Sequence, residues 1–367
     1  MFEIYYGKIQ SEMRKGKYVM YSISNILKKV RGCSILCFDL FSWIKEWYIS
    51  LFDRRLRYFV YGLSNKGFQH IQHYYYKNFL PFNETQIRPS IYRPHIRFYE
   101  VFGGLKVREK IKKVPNKLTV FSTGECVHSL VVPATQYYKD NCISCADISL
   151  GFDYLTDKNY IRFPYWLLRF ISPTKNKDKI AKLIDEYNAR NYKKTQFCAL
   201  IASHDKTNIR TKMLEKINMI EPVMCAGRFA YNDPTLKTLF NDNKQEYLRQ
   251  FKFNICPEND SFQGYVTEKI FDALLADCIP IYWGGDRPPE PEVINPAALI
   301  LFDPDNPEDV IEQIKFLHTN ASAYEQFKKN IKFSSTAVDW IYNKMHDLFV
   351  LFDDKITEKG LYKKNAN

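Results

Sequence analysis

The feature that most constrains this chain is a change of hydrophobic period that recurs through its second half. FCALIAS reads as a strand, TNIRTKMLEKINMI as a helix, and EYLRQFKFNICPEN as a helix running into a strand. TEKIFDALLADC places Ile270, Phe271, Leu274 and Leu275 on one helical face, IPIYWGG is a strand that ends in glycines, and AALILFD is another strand. NPEDVIEQIKFLHT then starts a helix with Asn306 as N-cap and Pro307 at the first position. Such alternation predicts an α/β fold, a parallel sheet covered by helices on both faces. In an open sheet of this kind, ligands bind beyond the carboxyl ends of the strands, where helices begin.

The first half is less regular. KLTVFSTGE is a short β-rich run that leaves Glu125 just beyond a strand end, and CADISLGFDYL and YIRFPYWLLRF follow. Within SPTKNKDKIAKLIDEYNARNYKKTQ, Ile180, Leu183, Ile184 and Tyr187 have helical spacing. A length of 367 residues suits two domains. The expected division is an N-terminal domain over 1–172, a C-terminal domain over 173–345, and a tail over 346–367. The first hundred or so residues match no simple pattern. CSILCFDLFSWIKEWYISLFDRRLRYFVYGL reads as a strand followed by an amphipathic helix, either core-facing or lying on an anionic membrane surface.

A formal charge of +12 calls for an anionic partner and does not by itself choose among nucleotide, nucleic acid and membrane. No stretch reaches the roughly 18 apolar residues of a membrane helix. The N-terminus lacks the apolar core of a secretory signal, so the expected location is the cytoplasm. Nine scattered cysteines, including the isolated pair Cys142 and Cys145, read as reduced and structural. His70 and His73, separated by two residues, do not make a metal site, and Asp303 and Asp305 read as helix-start punctuation.

The most informative segment is FNICPENDSFQGYVTEKIFDALLADCIPIYWGGD, Phe253 to Asp286. Thr267 is a suitable N-cap. Lys269, in the first helical turn, is disfavoured by the helix dipole unless it faces an anion. Glu268 beside it suits sugar hydroxyls, because a carboxylate accepts hydrogen bonds in fork geometry. Thr-Glu-Lys at a helix start therefore reads as a site for ribose and pyrophosphate. Gly264 permits close backbone approach, and Tyr265 offers a phenol or a stacking face. On the residues alone, a capped surface helix remains an equal alternative.

Beyond the residues themselves, the composite of Glu258-Asn259, Tyr265-Val266-Thr267-Glu268-Lys269 and Ile279-Pro280-Ile281-Tyr282 resembles the signature of the bacterial-type α-1,3-fucosyltransferases, glycosyltransferase family 10. FSTGE at Phe121 to Glu125, DISLGFDY, YIRFPYW and NIRTKMLEKI extend the resemblance over roughly residues 100 to 340. It implies a GT-B-like architecture, two Rossmann-like domains facing a central cleft, with GDP-fucose as donor. It implies that Asn259, Tyr265, Glu268 and Lys269 contact the donor, that Arg210 and Lys269 hold the pyrophosphate, and that Glu125 is the general base. Pro257 and Cys126 depart from the family's usual residues at their positions.

The implied chemistry is a single inverting displacement. It needs one base for the acceptor hydroxyl and positive charge on the departing GDP. Two cations can replace a metal there, so no cofactor is expected to be required, and a divalent metal at most stimulates. The expected acceptor is a glycan containing galactose and N-acetylglucosamine or glucose, with an α-1,3 linkage favoured. Two alternatives are a related transferase using another nucleotide sugar and a non-catalytic nucleotide- or glycan-binding protein. Nucleic acid is not an expected partner, because the basic run Lys106 to Lys117 lacks interleaved aromatics. The surplus positive charge fits the nucleotide cleft and peripheral contact with an anionic inner membrane surface.

Overall fold

A computed structural model describes residues 36–61, 77–83, 85–101 and 104–362. It divides into two compact units: Met1–Tyr58 with Thr85–Pro94, and Phe59–Glu84 with His95–Asn367. In the smaller unit, helix α1 (Leu36–Phe52) precedes strand β1 (Leu56–Tyr61), which pairs in parallel with β2 (Ile87–Pro89). The expected amphipathic helix is present as α1, which begins at Leu36, and a strand follows it; residues 33–35, where the expected strand would start, lie outside the described residues. The β-rich run LRYFVY follows the polar Asp53-Arg54-Arg55 break rather than preceding it. Arg88 is buried against α1 and makes ion pairs with Glu46 and, at 3.1 Å, with Asp53.

The larger unit opens with β3 (Ile96–Glu100), the short helix α2 (Gly104–Arg108), β4 (Leu118–Ser122), β5 (Ile148–Gly151) and β6 (Tyr160–Arg162). These strands pair in parallel in the order β3-β4-β5-β6. All of β4 and β5 is buried, as strands covered on both faces must be. Helices α3 (Tyr165–Phe170) and α4 (Lys177–Asn188) follow, and Asn176 caps α4 by accepting the Lys179 amide.

A second parallel sheet comprises β7 (Gln196–Leu200), β8 (Met224–Cys225), β9 (Phe251–Pro257), β10 (Ile279–Trp283) and β11 (Ile300–Leu301), in the order β11-β10-β9-β7-β8. Its connections are α5 (Ile209–Asn218), the short helices α6 (Thr235–Thr238) and α7 (Lys244–Leu248), and α8 (Glu268–Leu275). The two-residue strand β8 and helix α6 were not foreseen. Phe253, Ile255, Ile281 and Met213 form the centre of this half's core. Helices α9 (Glu308–Thr319) and α10 (Ala321–Lys328) cover it. α9 begins one residue later than read from the sequence, with Pro307 at the cap position.

The chain closes with α11 (Ala337–Glu358), a helix of 22 residues. Residues 346–358, set apart as tail by the sequence reading, continue this helix. Its face of Ala337, Ile341, Met345, Leu348, Phe352 and Ile356 is buried, at the spacing of a helix stripe. It lies against α4 and against β5 and β6 of the first sheet, and Lys359 beyond its end pairs with Asp147 at 2.8 Å. A buried strut also joins the two sheets. Glu290 accepts from Arg162 at 2.8 and 3.1 Å and from the Trp166 indole at 3.1 Å, while Arg162 donates to the Gly264 carbonyl at 3.0 Å. Among the described residues, no helix is long and apolar enough to cross a membrane.

Candidate active site

The carboxyl ends of β4, β7 and β9 meet at a cavity of about 530 Å³ lined by Glu125, Arg210, Asn259, Tyr265, Glu268 and Lys269, among others. Every site residue expected from the sequence therefore reaches one space. Each arrives on a short turn after a strand or at a helix start, the places where backbone groups are left free for ligands.

Glu125 follows the end of β4 in a turn fixed by Thr123. The Thr123 hydroxyl donates to the Glu125 carbonyl at 2.6 Å and accepts the Glu125 amide at 3.0 Å. The Glu125 carboxylate accepts from the Tyr265 hydroxyl at 3.1 Å and from the Asn259 amide nitrogen at 3.3 Å. Burial pushes its pKa above the usual carboxylate range, against the opposing pull of Lys269 and of these two hydrogen bonds. A raised pKa is what a base acting near neutral pH requires. Behind it, Cys126 packs with Phe152, Tyr165 and Tyr265, and burial raises its thiol to about 12, so it is inert at neutral pH.

Asn259 links this carboxylate to a cation. Its Oδ1 accepts from Arg210 at 2.7 Å, and Arg210 also donates to the His204 carbonyl. Arg210 is held at the start of α5, where Asp205 accepts the Arg210 amide at 3.3 Å and the Thr211 amide at 2.8 Å. Asp205 thereby supplies the capping oxygens that Asn208, left-handed at φ 61°, does not.

The start of α8 differs from the simple cap read from the sequence. Thr267 occupies the N-cap position but makes no side-chain cap. Its hydroxyl donates to Glu258 at 2.7 Å, and its amide donates to the other oxygen of the same carboxylate at 2.7 Å. Lys269 then bonds Glu258 at 2.9 Å and the Thr267 hydroxyl at 2.8 Å. Glu258 is fully buried and was given no role in the sequence reading, although it stands beside Asn259. The one signal was an acid directly after the strand run FNICP, where a buried strand end has no other use for a carboxylate. Lys269 is held protonated: its burial opposes the charge, and the neighbouring Glu258 and Glu268 outweigh that effect. Glu268 is ionised more readily than usual, because Lys269 and Arg169 overcome its own burial.

Gly264 does permit a close approach, and the partner is protein. It has φ 82°, and a Cβ there would lie 2.2 Å from the Phe152 carbonyl oxygen. Asp303 accepts the Asp305 amide at 3.1 Å, a local turn just before α9. His70 and His73 lie outside the described residues. The sequence reading also passed over Lys244, Arg169 and Asp272, which line the same cavity.

Two parallel α/β halves whose strand ends converge on one polar cavity, with a carboxylate on one side and cations at helix starts on the other, form the architecture of the GT-B glycosyltransferases. Residues 191–347 match the family model described as glycosyltransferase family 10 (fucosyltransferase) C-term. Over 136 residues the chain is 39% identical to the α-(1,3)-fucosyltransferase FucT of Helicobacter pylori, covering 36% of this chain and 26% of the relative. Over 95 residues it is 30% identical to α-(1,3)-fucosyltransferase B of Drosophila melanogaster, covering 26% and 21%. These matches span about a quarter or less of the curated relatives' length. A crystal structure of an α1,3-fucosyltransferase aligns with a TM-score of 0.53 at 24% identity, covering 82% of this chain and 92% of that one. The same type of enzyme solved with GDP-fucose aligns at 0.50 and 24%, covering 80% and 90%. Both likenesses bear on the fold.

Proposed function

We propose that this protein transfers L-fucose from GDP-β-L-fucose to a hydroxyl of a glycan containing galactose and N-acetylglucosamine or glucose, with inversion and an α-1,3 linkage. The observation that carries this reading is the position of Glu125. It lines the 530 Å³ cavity and also a neighbouring hollow of about 160 Å³ bordered by Val131, Val132, Lys206 and Thr207. A base for a displacement must touch both substrates, and Glu125 borders two spaces that could hold them.

In this reading Glu125 takes the proton of the acceptor hydroxyl as that oxygen attacks C1 of fucose. The C1–O bond to GDP breaks, and its electrons leave with the diphosphate. Arg210 and Lys269 meet that charge, aided by the start of α8. Asn259 and Tyr265 orient Glu125 and border the phosphates, and Glu268 holds donor hydroxyls. The division near residue 172 then separates an acceptor side from a donor side. The chain's excess basic charge supports loose contact with an anionic membrane face, where lipid-linked acceptors are found.

The test is a transfer assay with GDP-fucose and an N-acetyllactosamine acceptor, with product linkage read by NMR. Glu125→Gln should lower turnover by about 10²–10⁴-fold while GDP affinity, read by calorimetry, stays nearly unchanged. Turnover that survives in this variant refutes the assignment of the base.

A further inference from the structure

We propose that Cys145 and Cys142 form a reversible thiol–disulfide site, in which Cys145 attacks a small disulfide and Cys142 closes the bond. The pair lies between the 3-10 helix Pro133–Tyr138 and β5, and its chemistry does not depend on the transfer reaction proposed above.

The backbone brings the two sulfurs together. The Cys142 carbonyl accepts the Cys145 amide at 3.1 Å and the Ala146 amide at 2.8 Å. A turn closed in this way keeps its end Cα atoms within about 7 Å, and a disulfide spans about 4.4–6.8 Å. The Cys145 sulfur folds back over the turn, 3.4 Å from the Cys142 carbonyl oxygen, and the two thiols share a hydrogen bond. Both cysteines are free thiols.

Arg108, at the end of α2, supplies the charge. Its Nη1 lies 3.0 Å from the Cys145 sulfur, its Nη2 donates to Asp140 at 2.7 Å, and its Nε donates to the Tyr137 carbonyl at 3.1 Å. Asp140 also accepts the Cys142 amide at 3.2 Å, so one carboxylate fixes both the guanidinium and the turn. A guanidinium can only donate, so the sulfur it meets is an acceptor, which suits a thiolate. The Cys142 thiol, with Arg108 adding to its effect, lowers Cys145 to about 6 against its burial. The same hydrogen bond, together with burial, pushes Cys142 up. Burial likewise raises Cys126, Cys198, Cys225, Cys256 and Cys278, so among the described cysteines the lowered thiol is Cys145.

Exposure sets the order of the steps. Cys142 is 0% exposed and packs with Phe121, Val127 and Tyr138, whereas Cys145 is half-buried at the edge of that cluster. The Cys145 thiolate therefore attacks one sulfur of a disulfide RSSR, whose S–S bond breaks as RS⁻ leaves. In the mixed disulfide Cys145 carries no charge and no longer holds the Cys142 proton, while Arg108 favours the Cys142 thiolate. That proton passes to the released RS⁻. The Cys142 thiolate then attacks the Cys145 sulfur and a second RS⁻ leaves. Two protein thiols have been oxidised to a disulfide, and RSSR has been reduced to RSH and RS⁻.

The experiment treats the folded full chain with excess glutathione disulfide, blocks remaining thiols with acid-quenched N-ethylmaleimide, and reads the tryptic peptide Asp140–Lys158 by mass spectrometry. The wild-type peptide should become lighter by two hydrogens and regain them with dithiothreitol. Cys142→Ser should stop at a glutathione adduct on Cys145, and Cys145→Ser should leave Cys142 unmodified. Alkylation of Cys145 by iodoacetamide in the reduced wild type should reach half its plateau rate near pH 6. A wild-type peptide that keeps both hydrogens, or that halts at a stable glutathione adduct, overturns the proposal without recourse to a variant. An alkylation midpoint at the ordinary thiol value of about 8.5 overturns the assignment of Cys145 as the attacking sulfur.

Discussion

Glu258 and Lys269 make the sharpest energetic prediction. Glu258 is fully buried and accepts at 2.7 Å from the Thr267 amide, 2.7 Å from the Thr267 hydroxyl and 2.9 Å from Lys269. Glu258→Gln keeps one acceptor oxygen, which can still hold the Thr267 amide. Its new NH₂ group then faces the ammonium, so a charge-assisted bond is replaced by two donors in opposition. Breaking a buried pair from one side costs about 3–5 kcal/mol. The Lys269 side chain is 23% exposed, so water relieves part of that, and about 3 kcal/mol is expected. Lys269→Met leaves a buried carboxylate with its two Thr267 bonds, at about 2–3 kcal/mol. The double variant removes both charges together, so its cost should fall short of the sum by about 1.5–2.5 kcal/mol. Urea unfolding of the four proteins, followed by circular dichroism and tryptophan fluorescence, measures the cycle. Costs that add to within about 0.5 kcal/mol would show that the two residues act independently, and the reading of Glu258 as the holder of Lys269 would be wrong.

The raised pKa of Glu125 sets two pH effects. The acid limb of kcat/KM should lie above the ordinary carboxylate value of 4.5, and an acid limb at or below it would contradict the burial argument. Between that value and the raised one, the folded protein holds a proton that the unfolded chain has lost, so stability falls as pH rises through the window. Glu125→Gln removes this slope. Its Tm should gain on the wild type as pH rises above the ordinary carboxylate value of 4.5, and a difference that stays constant with pH would count against the shift. Gly264→Ala should destabilise by about 1–3 kcal/mol through its left-handed backbone, and by more through the clash with the Phe152 carbonyl; wild-type stability in this variant would mean the loop repacks freely.

The second half was legible because its strands and helices carry strong, distinct periods. The strands FCALIAS, FNICP and IPIYW are buried on both faces and read as unbroken apolar runs, as parallel strands must. The site was legible where a residue violates a local rule, as Lys269 does at the positive end of a helix. Glu258 was opaque because nothing local shows that its partners lie nine and eleven residues ahead in a different element. Asp272 looked like an ordinary polar residue in the middle of a helix, and its ion-pair partner Arg169, 3.6 Å away, lies on another element. The strand β1 was missed because its aromatics and arginines run on from those of the helix before it, and α11 was cut short because its buried stripe packs on the far sheet rather than on its sequence neighbours.

The cations of this site are not loose charges waiting for an anion. Arg210 is held by the His204 carbonyl and Asn259, and Lys269 by Glu258 and the hydroxyl of Thr267. Glu258 also occupies the Thr267 amide, so the first free donor of α8 is already spoken for. In the proposed reaction, a diphosphate must therefore gain more from these groups than their internal partners give them. That narrows the attraction, and it also fixes the two side chains in place before the donor arrives. Fixing a long side chain on binding costs about 0.5–1.5 kcal/mol. Here that cost is met during folding, by a carboxylate that has no exposure to solvent. The answer to why a lysine sits in the first turn of α8 thus has two parts. Glu258 makes the position tolerable in the folded chain, and the same contact holds the ammonium at the cavity, where the proposed reaction would develop charge.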